Sequence, residues 1–163
     1  MLNIVLVEPE IHTNTGNISR TCVCTGASLH LVRPLGFSVD SKQLRRAGLD
    51  YWDALNVQYY DNFAQVQETF PQGRFFFAST KARRTYADVS YQAGDFLVFG
   101  RETRGLPEEL IEANLETAIR IPMLETARSL NLSNAASIVL YEALRQLGFP
   151  NLLTAGQLSK TLG

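Results

Sequence analysis

The chain alternates short apolar runs with longer segments in which apolar and polar residues are mixed. The apolar runs are rich in β-branched and aromatic residues and are bounded by Gly, Pro or polar clusters. This pattern is typical of strands that are buried on both faces of a parallel sheet. It predicts strands over residues 2–7, 28–32, 56–60, 74–79, 95–99 and 119–121.

Helical patterns fill most of the intervals between these strands. Residues 13–17 offer several side-chain caps for a helix that continues to Thr25 and ends at Gly26. Further helices are predicted over residues 41–47, 62–70 and 134–147, and one begins at Pro107. The alternation predicts an α/β fold with a largely parallel sheet flanked by helices. A length of 163 residues favours one domain over residues 1–150, followed by a carboxy-terminal tail over residues 151–163.

The last predicted strand and helix form a corner that suits a ligand. The strand stops at Pro122, and a polar loop leads to Ser133 and Asn134, which begin the final helix. Where a strand's carboxyl end meets a helix amino terminus, unpaired backbone N–H groups and the helix dipole face open space. We therefore place the floor of an active site at this corner.

The final helix carries apolar residues on more than one face. One face can pack on the sheet, and the remainder then needs a second cover. We expect a second copy of the chain to supply that cover and to form a homodimer. The alternative is that the carboxy-terminal tail covers the helix within one chain.

Charge and composition indicate an ordinary folded protein. The formal net charge is -1, so overall charge does not indicate a nucleic-acid binder. Positive charge is nevertheless concentrated over residues 42–46, 81–84 and 101–104. Each cluster is open to two interpretations, a local nucleic-acid contact or an ordinary solvated surface.

We expect a cytoplasmic protein without a membrane segment or a metal site. No apolar run approaches the roughly 20 residues that span a bilayer, and the amino terminus lacks a basic region followed by an apolar one. Cys22 and Cys24 are expected to be free thiols in a reducing compartment. Neither cysteine has a ligand-like spacing to His12 or His30.

The common nucleotide and hydrolase motifs are absent from the sequence. There is no GxGxxG after the first strand, no GxxxxGK[ST] and no GxSxG. A Walker ATPase, a standard Rossmann dehydrogenase and a serine hydrolase are therefore disfavoured.

Three polar stretches follow or separate the strong structural elements: NTGNISR at residues 14–20, FGRETRGLP at 99–107 and SLNLSNA at 129–135. Together and in this order they resemble the three motifs of the SpoU-like branch of the SPOUT RNA methyltransferases. Within that branch, residues 2–22, PLGF at 34–37 and LRRAGLDY at 44–51 are similar to the TrmL (YibK) group. The resemblance covers nearly the whole chain.

The resemblance implies a fold and an activity. A minimal SPOUT domain, also called the α/β knot, ties its carboxy-terminal part into a trefoil knot, and two subunits contribute to each active site. S-adenosylmethionine lies bent in the knot and leaves as S-adenosylhomocysteine. The TrmL group methylates the ribose 2′-hydroxyl of the wobble nucleotide, a cytidine or uridine, in leucine tRNAs. With no appended domain, recognition is expected to concentrate on the anticodon stem-loop.

The resemblance also assigns site residues. The cofactor cradle corresponds to Ala78, Gly100, Ile121, Ser129 and Leu130, mostly through backbone groups.

Three residues match the catalytic positions of the motifs. Arg20 is expected to fix a phosphate and to stabilise negative charge on the ribose oxygen, because a guanidinium stays protonated. Glu102 is expected to hold an arginine or a backbone turn rather than to move a proton. Asn134 orients the hydroxyl or the chain path, although helix capping by Ser133 accounts equally well for that stretch.

Exposed cations and aromatic side chains are expected to bind the RNA. The candidates are Lys42, Arg45, Arg46 and Tyr141, with Arg83 and Arg84 as further cations.

Two other functions remain open at this point. A non-catalytic RNA-binding dimer has the same fold without the cofactor. A nucleotide or sugar-phosphate enzyme on a flavodoxin-like sheet fits the alternation of strands and helices, but it leaves the three motifs unexplained.

Overall fold

A computed structural model describes residues 1–39 and 53–159 of the chain. The strands in these ranges are β1 (Asn3–Val7), β2 (Ser28–Val32), β3 (Val57–Tyr60), β4 (Phe75–Ala78), β5 (Arg84–Thr85), β6 (Phe96–Phe99) and β7 (Ala118–Arg120). The helices are α1 (His12–Thr25), α2 (Phe63–Thr69), α3 (Glu108–Glu112) and α4 (Leu132–Gln146), with a short 3₁₀ turn at Leu115–Thr117.

The strands form one parallel sheet in the order β3-β2-β1-β6-β4-β7-β5. Because all strands run in the same direction, the loops after β4, β6 and β7 emerge at the same edge. A ligand is expected in the crevice outside such strand ends. The predicted α/β class and the largely parallel sheet are therefore confirmed.

Both faces of the sheet are covered, which explains the continuous apolar runs in the sequence. Ile4 and Leu6 of β1 lie in a core with α1 and α4, whereas Val5 and Val7 lie in a second core on the other face. The helices α2 and α3 cover that second face through Val66 and Ile111. The period-two alternation of side chains along a strand thus divides each apolar run between the two cores.

The structure corrects two predicted helix starts. Helix α1 begins at His12, and its N-cap residue Ile11 makes no side-chain capping bond, so Asn14 and its neighbours lie inside the helix and are not caps. Helix α4 begins at Leu132, and its cap is Asn131, not Ser133. The predicted helix over residues 41–47 lies outside the described residues.

The two longest described helices have 14 and 15 residues. No helix within residues 1–39 and 53–159 is long and apolar enough to cross a membrane. Beyond α4, Phe149 and Leu152 pack against the core that contains this helix, so the start of the predicted tail covers part of it. Leu153 and Leu158 remain exposed.

Candidate active site

A cavity of about 480 Å³ lies at the carboxyl ends of β4, β6 and β7. Its walls come from residues 78–81, 99–106 and parts of 119–139, together with Ile11 and Asn14 at the start of α1. We call it the strand-end cavity. Its size is within the range of small-molecule sites, and it combines apolar side chains with the backbone of three loops.

All five residues of the predicted cofactor cradle line this cavity. Ala78 ends β4, Gly100 follows β6, and Ile121 lies one residue beyond the end of β7. Ser129 and Leu130 belong to the loop that leads to α4. The loops that a cofactor would contact through backbone groups are thus brought together, as the motif order predicts.

The backbone of Gly100 lies so close to the backbone of Gly105 that only glycine fits at position 100. A Cβ atom at this position would lie 2.1 Å from the carbonyl carbon of Gly105. The space is filled by a turn in which the Gly105 N–H donates to the Arg101 carbonyl at 2.8 Å, and Gly105 itself has φ 68°. Glycine therefore sets the shape of the cavity wall.

Glu102 holds the start of α1 against this wall. Its carboxylate accepts hydrogen bonds from the backbone N–H of Glu10 at 2.7 Å and of Ile11 at 3.0 Å, and from Nδ2 of Asn14 at 3.3 Å. A carboxylate at a helix amino terminus satisfies free N–H groups and interacts favourably with the helix dipole. Glu102 thus binds the residues that lead into α1, and it holds a backbone turn rather than an arginine.

Two further carboxylates join the same loops. Glu10 accepts from the N–H of Thr103 at 3.2 Å and from its hydroxyl at 2.6 Å, and these bonds lower the pKa of Glu10. Glu8 forms an ion pair with Arg101. We call Glu8, Glu10 and Glu102 with their partners the carboxylate clasp, which joins residues 8–11 to residues 101–103.

A chain of side-chain bonds extends from the clasp to α4. The Asn14 Oδ1 atom accepts from Nδ2 of Asn131 at 3.0 Å. The Asn131 Oδ1 atom in turn accepts from the N–H of Ser133 at 2.9 Å, from the Ser133 hydroxyl at 2.6 Å and from the N–H of Asn134 at 3.3 Å. The three polar motifs are therefore connected by hydrogen bonds at the edge of the cavity.

Asn14 and Asn131 are site residues that the sequence analysis did not single out. Both belong to the quoted motifs, yet their bonds join positions that are 88 and 117 residues apart. The signal in the sequence that could have identified these two residues is their position within the motifs. The pairing itself depends on the path of the chain, which local patterns do not contain.

The other predicted catalytic residues lie outside the cavity of their own chain. Arg20 is exposed on α1, and a spacing of six residues places it about 9 Å along the helix from Asn14. Asn134 is exposed at the start of α4. Asn134, Ile138 and Tyr141 have the spacing of one helix face, and that face is open to solvent, since Ile138 and Tyr141 are 37% and 45% exposed.

The predicted RNA-binding cations divide into three groups. Lys42, Arg45 and Arg46 lie outside the described residues. The Arg84 guanidinium donates to the backbone carbonyls of Glu116 and Asp88, so it holds the chain around β5. Arg83 is exposed and makes no hydrogen bond or ion pair with the described part of the chain.

No group of three or more His, Cys, Asp or Glu side chains within residues 1–39 and 53–159 is arranged to hold a metal ion. Cys22 is buried in the core, and burial raises the pKa of its thiol to about 12, whereas Cys24 is exposed.

Comparisons with known proteins agree with the resemblance drawn from the motifs. The model of the SpoU rRNA Methylase family matches residues 1–141. The tRNA (cytidine(34)-2′-O)-methyltransferase of Escherichia coli K12 is 52% identical over 151 residues, which cover 92% of this chain and 96% of that protein. A putative enzyme of the same name from Bacillus subtilis is 51% identical over 154 residues, covering 93% of this chain and 96% of that protein.

A crystal structure of a putative RNA methyltransferase from Bacillus anthracis superimposes with a TM-score of 0.88 and 48% identity, covering 95% of this chain and 100% of that one. The likeness thus extends from the motifs to the whole fold. The chain belongs to the SpoU rRNA methylase family of RNA methyltransferases.

Proposed function

We propose that this protein transfers the methyl group of S-adenosylmethionine to the ribose 2′-hydroxyl of the wobble nucleotide, position 34, of tRNA. The nucleotide is a cytidine or a uridine, and leucine tRNAs are the proposed substrates. One observation carries the proposal: the five residues of the predicted cradle line a single cavity at the strand ends. Identity of about half the residues to a tRNA (cytidine(34)-2′-O)-methyltransferase supports the choice of substrate.

The strand-end cavity has the chemistry that S-adenosylmethionine requires. Ile119, Ile121 and Val139 supply apolar surface for an adenine ring, and the loops after β4, β6 and β7 supply backbone donors and acceptors. A related AdoMet-bound rRNA methyltransferase from Sinorhizobium meliloti, 26% identical, has the same fold with a TM-score of 0.78. When bound, the cofactor supplies an electrophilic methyl group, and the chain's own residues align the hydroxyl with it.

Arg20 and Asn134 act on the cavity of a second subunit. Neither side chain lines the cavity of its own chain, and both are exposed on α1 and α4. These two helices lie side by side, with the hydroxyls of Thr21 and Ser137 3.5 Å apart. A homodimer that pairs these surfaces buries Ile138 and Tyr141 and brings Arg20 to the partner's cavity. We propose this arrangement together with a trefoil knot formed by the segment that leads into α4.

Within that arrangement Arg20 has an electrostatic role. The guanidinium remains protonated, so it does not accept the proton of the hydroxyl. It binds a phosphate next to the target nucleotide and stabilises the negative charge that develops on the ribose oxygen. Because its substrate is tRNA, we place the enzyme in the cytoplasm.

A subunit-mixing experiment tests both the cofactor site and the shared active site. Arg20→Ala and Ala78→Trp, which fills the cavity, are each expected to be inactive as homodimers. Calorimetry checks that the Ala78→Trp variant is folded and no longer binds S-adenosylmethionine. When Arg20 acts in trans, each mixed dimer regains one of its two sites. An equal mixture in which half of the dimers are mixed is therefore expected to reach about a quarter of the wild-type activity on tRNA. If the mixture stays inactive while mixed dimers form, Arg20 does not act across the dimer.

The competing function has a separate readout. If the wild-type protein binds tRNA but shows no heat of binding with millimolar S-adenosylmethionine, it is a non-catalytic RNA-binding protein, and the proposed function is wrong.

A further inference from the structure

Among the described residues, four cationic side chains line the strand-end cavity, and they differ in whether they have a partner. Lys81 is paired with Glu108, and Arg101 is paired with Glu8. Arg104 and Arg128 also line the cavity, are exposed, and make no hydrogen bond or ion pair with residues 1–39 or 53–159. The first two cations therefore have structural partners, whereas the second two are available for a ligand.

This distinction sets the pair apart from most arginines of the described chain. Six others are engaged by carboxylates or backbone carbonyls: Arg33, Arg74, Arg84, Arg101, Arg120 and Arg145. Arg20 and Arg83 share the lack of a partner, but neither lines the cavity. Unpaired guanidinium groups that also face the cavity are thus limited, in the part of the chain that is described, to Arg104 and Arg128.

The backbone that carries Arg104 is held from several sides. Its neighbours Thr103 and Gly105 are bonded to Glu10 and to the Arg101 carbonyl, and Glu102 is fixed by the start of α1. The Glu10 carboxylate lies close enough for Arg104 to lower its pKa, but it already accepts both bonds from Thr103. A free cation on a fixed turn binds a ligand at a low cost in backbone entropy.

The chemistry of the pair indicates an extended anion. A guanidinium forms paired hydrogen bonds with phosphate, and exposure of both side chains places them at the mouth of the cavity rather than at its floor. A nucleotide whose ribose enters the cavity carries phosphates on both sides of that ribose. The carboxylate of a bound cofactor is a single anion and is the competing ligand.

We propose that Arg104 and Arg128 form a phosphodiester-binding pair that holds the RNA backbone next to the nucleotide being methylated. The inference rests on the proposed function, because it takes RNA as the ligand of this cavity. It assigns RNA contacts to the cavity mouth in addition to the predicted contacts of Lys42, Arg45 and Arg46.

The test measures RNA and cofactor binding separately in Arg104→Ala, Arg128→Ala and the double variant. Fluorescence anisotropy with a labelled anticodon stem-loop RNA, in the presence of S-adenosylhomocysteine, gives the RNA affinity at a series of salt concentrations. Each single variant is expected to bind RNA about tenfold more weakly. The slope of log affinity against log salt is expected to decrease by about 0.7 for each single-stranded phosphate contact that is lost.

Cofactor binding and turnover distinguish the two anions. The affinity for S-adenosylmethionine, measured by calorimetry, is expected to stay within about twofold of the wild type, and kcat is expected to recover at saturating RNA. Arg33→Ala is the matched control, because Arg33 is an exposed arginine paired with Asp61 and does not line the cavity. Its RNA affinity is expected to be unchanged.

Two results overturn the inference. RNA affinity and salt slope that equal those of the wild type exclude a phosphate contact. A loss of cofactor affinity with unchanged RNA binding assigns the pair to the cofactor carboxylate instead. A wild-type protein that binds the cofactor but neither binds nor methylates RNA refutes the proposed function itself, whereas unchanged variants of an active wild type refute only the arginine pair.

Discussion

Replacing Glu102 with alanine removes the carboxylate that holds the start of α1 from the opposite loop. The Glu10 and Ile11 N–H groups and the Asn14 amide then lose their acceptor. A hydrogen bond to a charged group contributes about 1.5–3 kcal/mol, but water replaces part of it here because Glu102 is only half-buried. We therefore expect a loss of about 2–3 kcal/mol for Glu102→Ala and about half of that for Glu102→Gln, which keeps one acceptor oxygen.

For a domain of this size, 1 kcal/mol lowers Tm by roughly 2–4 °C, so Glu102→Ala is expected to lower Tm by about 5–10 °C. Thermal unfolding followed by circular dichroism measures this shift. Glu125→Gln is the matched control, because Glu125 is exposed in the loop before α4 and its carboxylate makes no hydrogen bond or ion pair with the described residues. Its Tm is expected to equal that of the wild type.

Kinetics separate the positioning role of Glu102 from proton transfer. Loss of a general acid or base lowers kcat by about 10²–10⁴-fold. For Glu102→Gln we instead expect KM for S-adenosylmethionine to rise about tenfold, with kcat within about fivefold of the wild type, because the cavity wall is displaced while the chemistry is intact. A Glu102→Gln enzyme with wild-type Tm and a kcat reduced more than a hundredfold would show that Glu102 takes part in proton transfer.

Three further predictions concern the cavity, the core and the dimer. Gly100→Ala places a methyl group 2.1 Å from the Gly105 carbonyl carbon, so we expect calorimetry to show a cofactor affinity weakened at least tenfold. Gly156→Ala is the control, because its Cβ meets no atom within 4 Å, and its cofactor affinity is expected to be unchanged. Burial lowers the pKa of His30 from 6.5 to about 4, so the unfolded chain takes up the proton first. Stability in urea titrations is therefore expected to be complete above pH 6.5 and to fall by up to about 3 kcal/mol toward pH 4, with a flatter profile for His30→Gln; equal slopes would contradict this. Ile138→Asp is expected to convert a dimer into a monomer in sedimentation experiments, and a wild-type monomer at micromolar concentration would remove the dimer from the account.

Strands buried on both faces were predictable from the sequence, because most of their residues are apolar. The runs that predicted β1, β2, β4 and β6 coincide with these strands to within two residues. Strand β5 was missed, since Arg84 and Thr85 are two polar residues at the edge of the sheet and pair only with β7. Such a strand is defined by its neighbour rather than by its own composition.

Helix starts were harder to predict from the sequence, because the groups that bind them can come from distant residues. The polar cluster after β1 predicted local caps, yet the carboxylate that binds the start of α1 is Glu102, 91 residues from Ile11. Ser133 was an acceptable cap by residue type, but the side chain of Asn131, two residues earlier, accepts the hydrogen bonds of the Ser133 and Asn134 N–H groups. Residue type alone does not decide between neighbouring candidates.

Part of the apolar surface of α4 is covered within the chain itself. Val139, Leu140 and Ala143 are fully buried against the sheet and α1, so they need no second subunit. What remains for a partner is the exposed face with Ile138 and Tyr141. The proposed dimer thus depends on fewer residues than the helical pattern indicates.

The family motifs predicted five cradle residues that line one cavity, whereas they did not predict the carboxylate clasp. Glu8, Glu10 and Glu102 are three acidic residues without a periodic pattern, and their partners become neighbours only after the sheet has formed. Long-range pairing of this kind requires the strand order, which puts β1 beside β6.

The central claim is methyl transfer to the ribose of nucleotide 34. The most direct measurement incubates the purified protein with S-adenosylmethionine and tRNA that lacks this modification, and then locates the added methyl group by mass spectrometry of nuclease fragments and nucleosides. We expect one 2′-O-methylated cytidine or uridine at position 34, and none when Arg20→Ala replaces the wild type. A methyl group on a base or at another position would contradict this assignment. So would the absence of methylation by a folded protein that binds the cofactor.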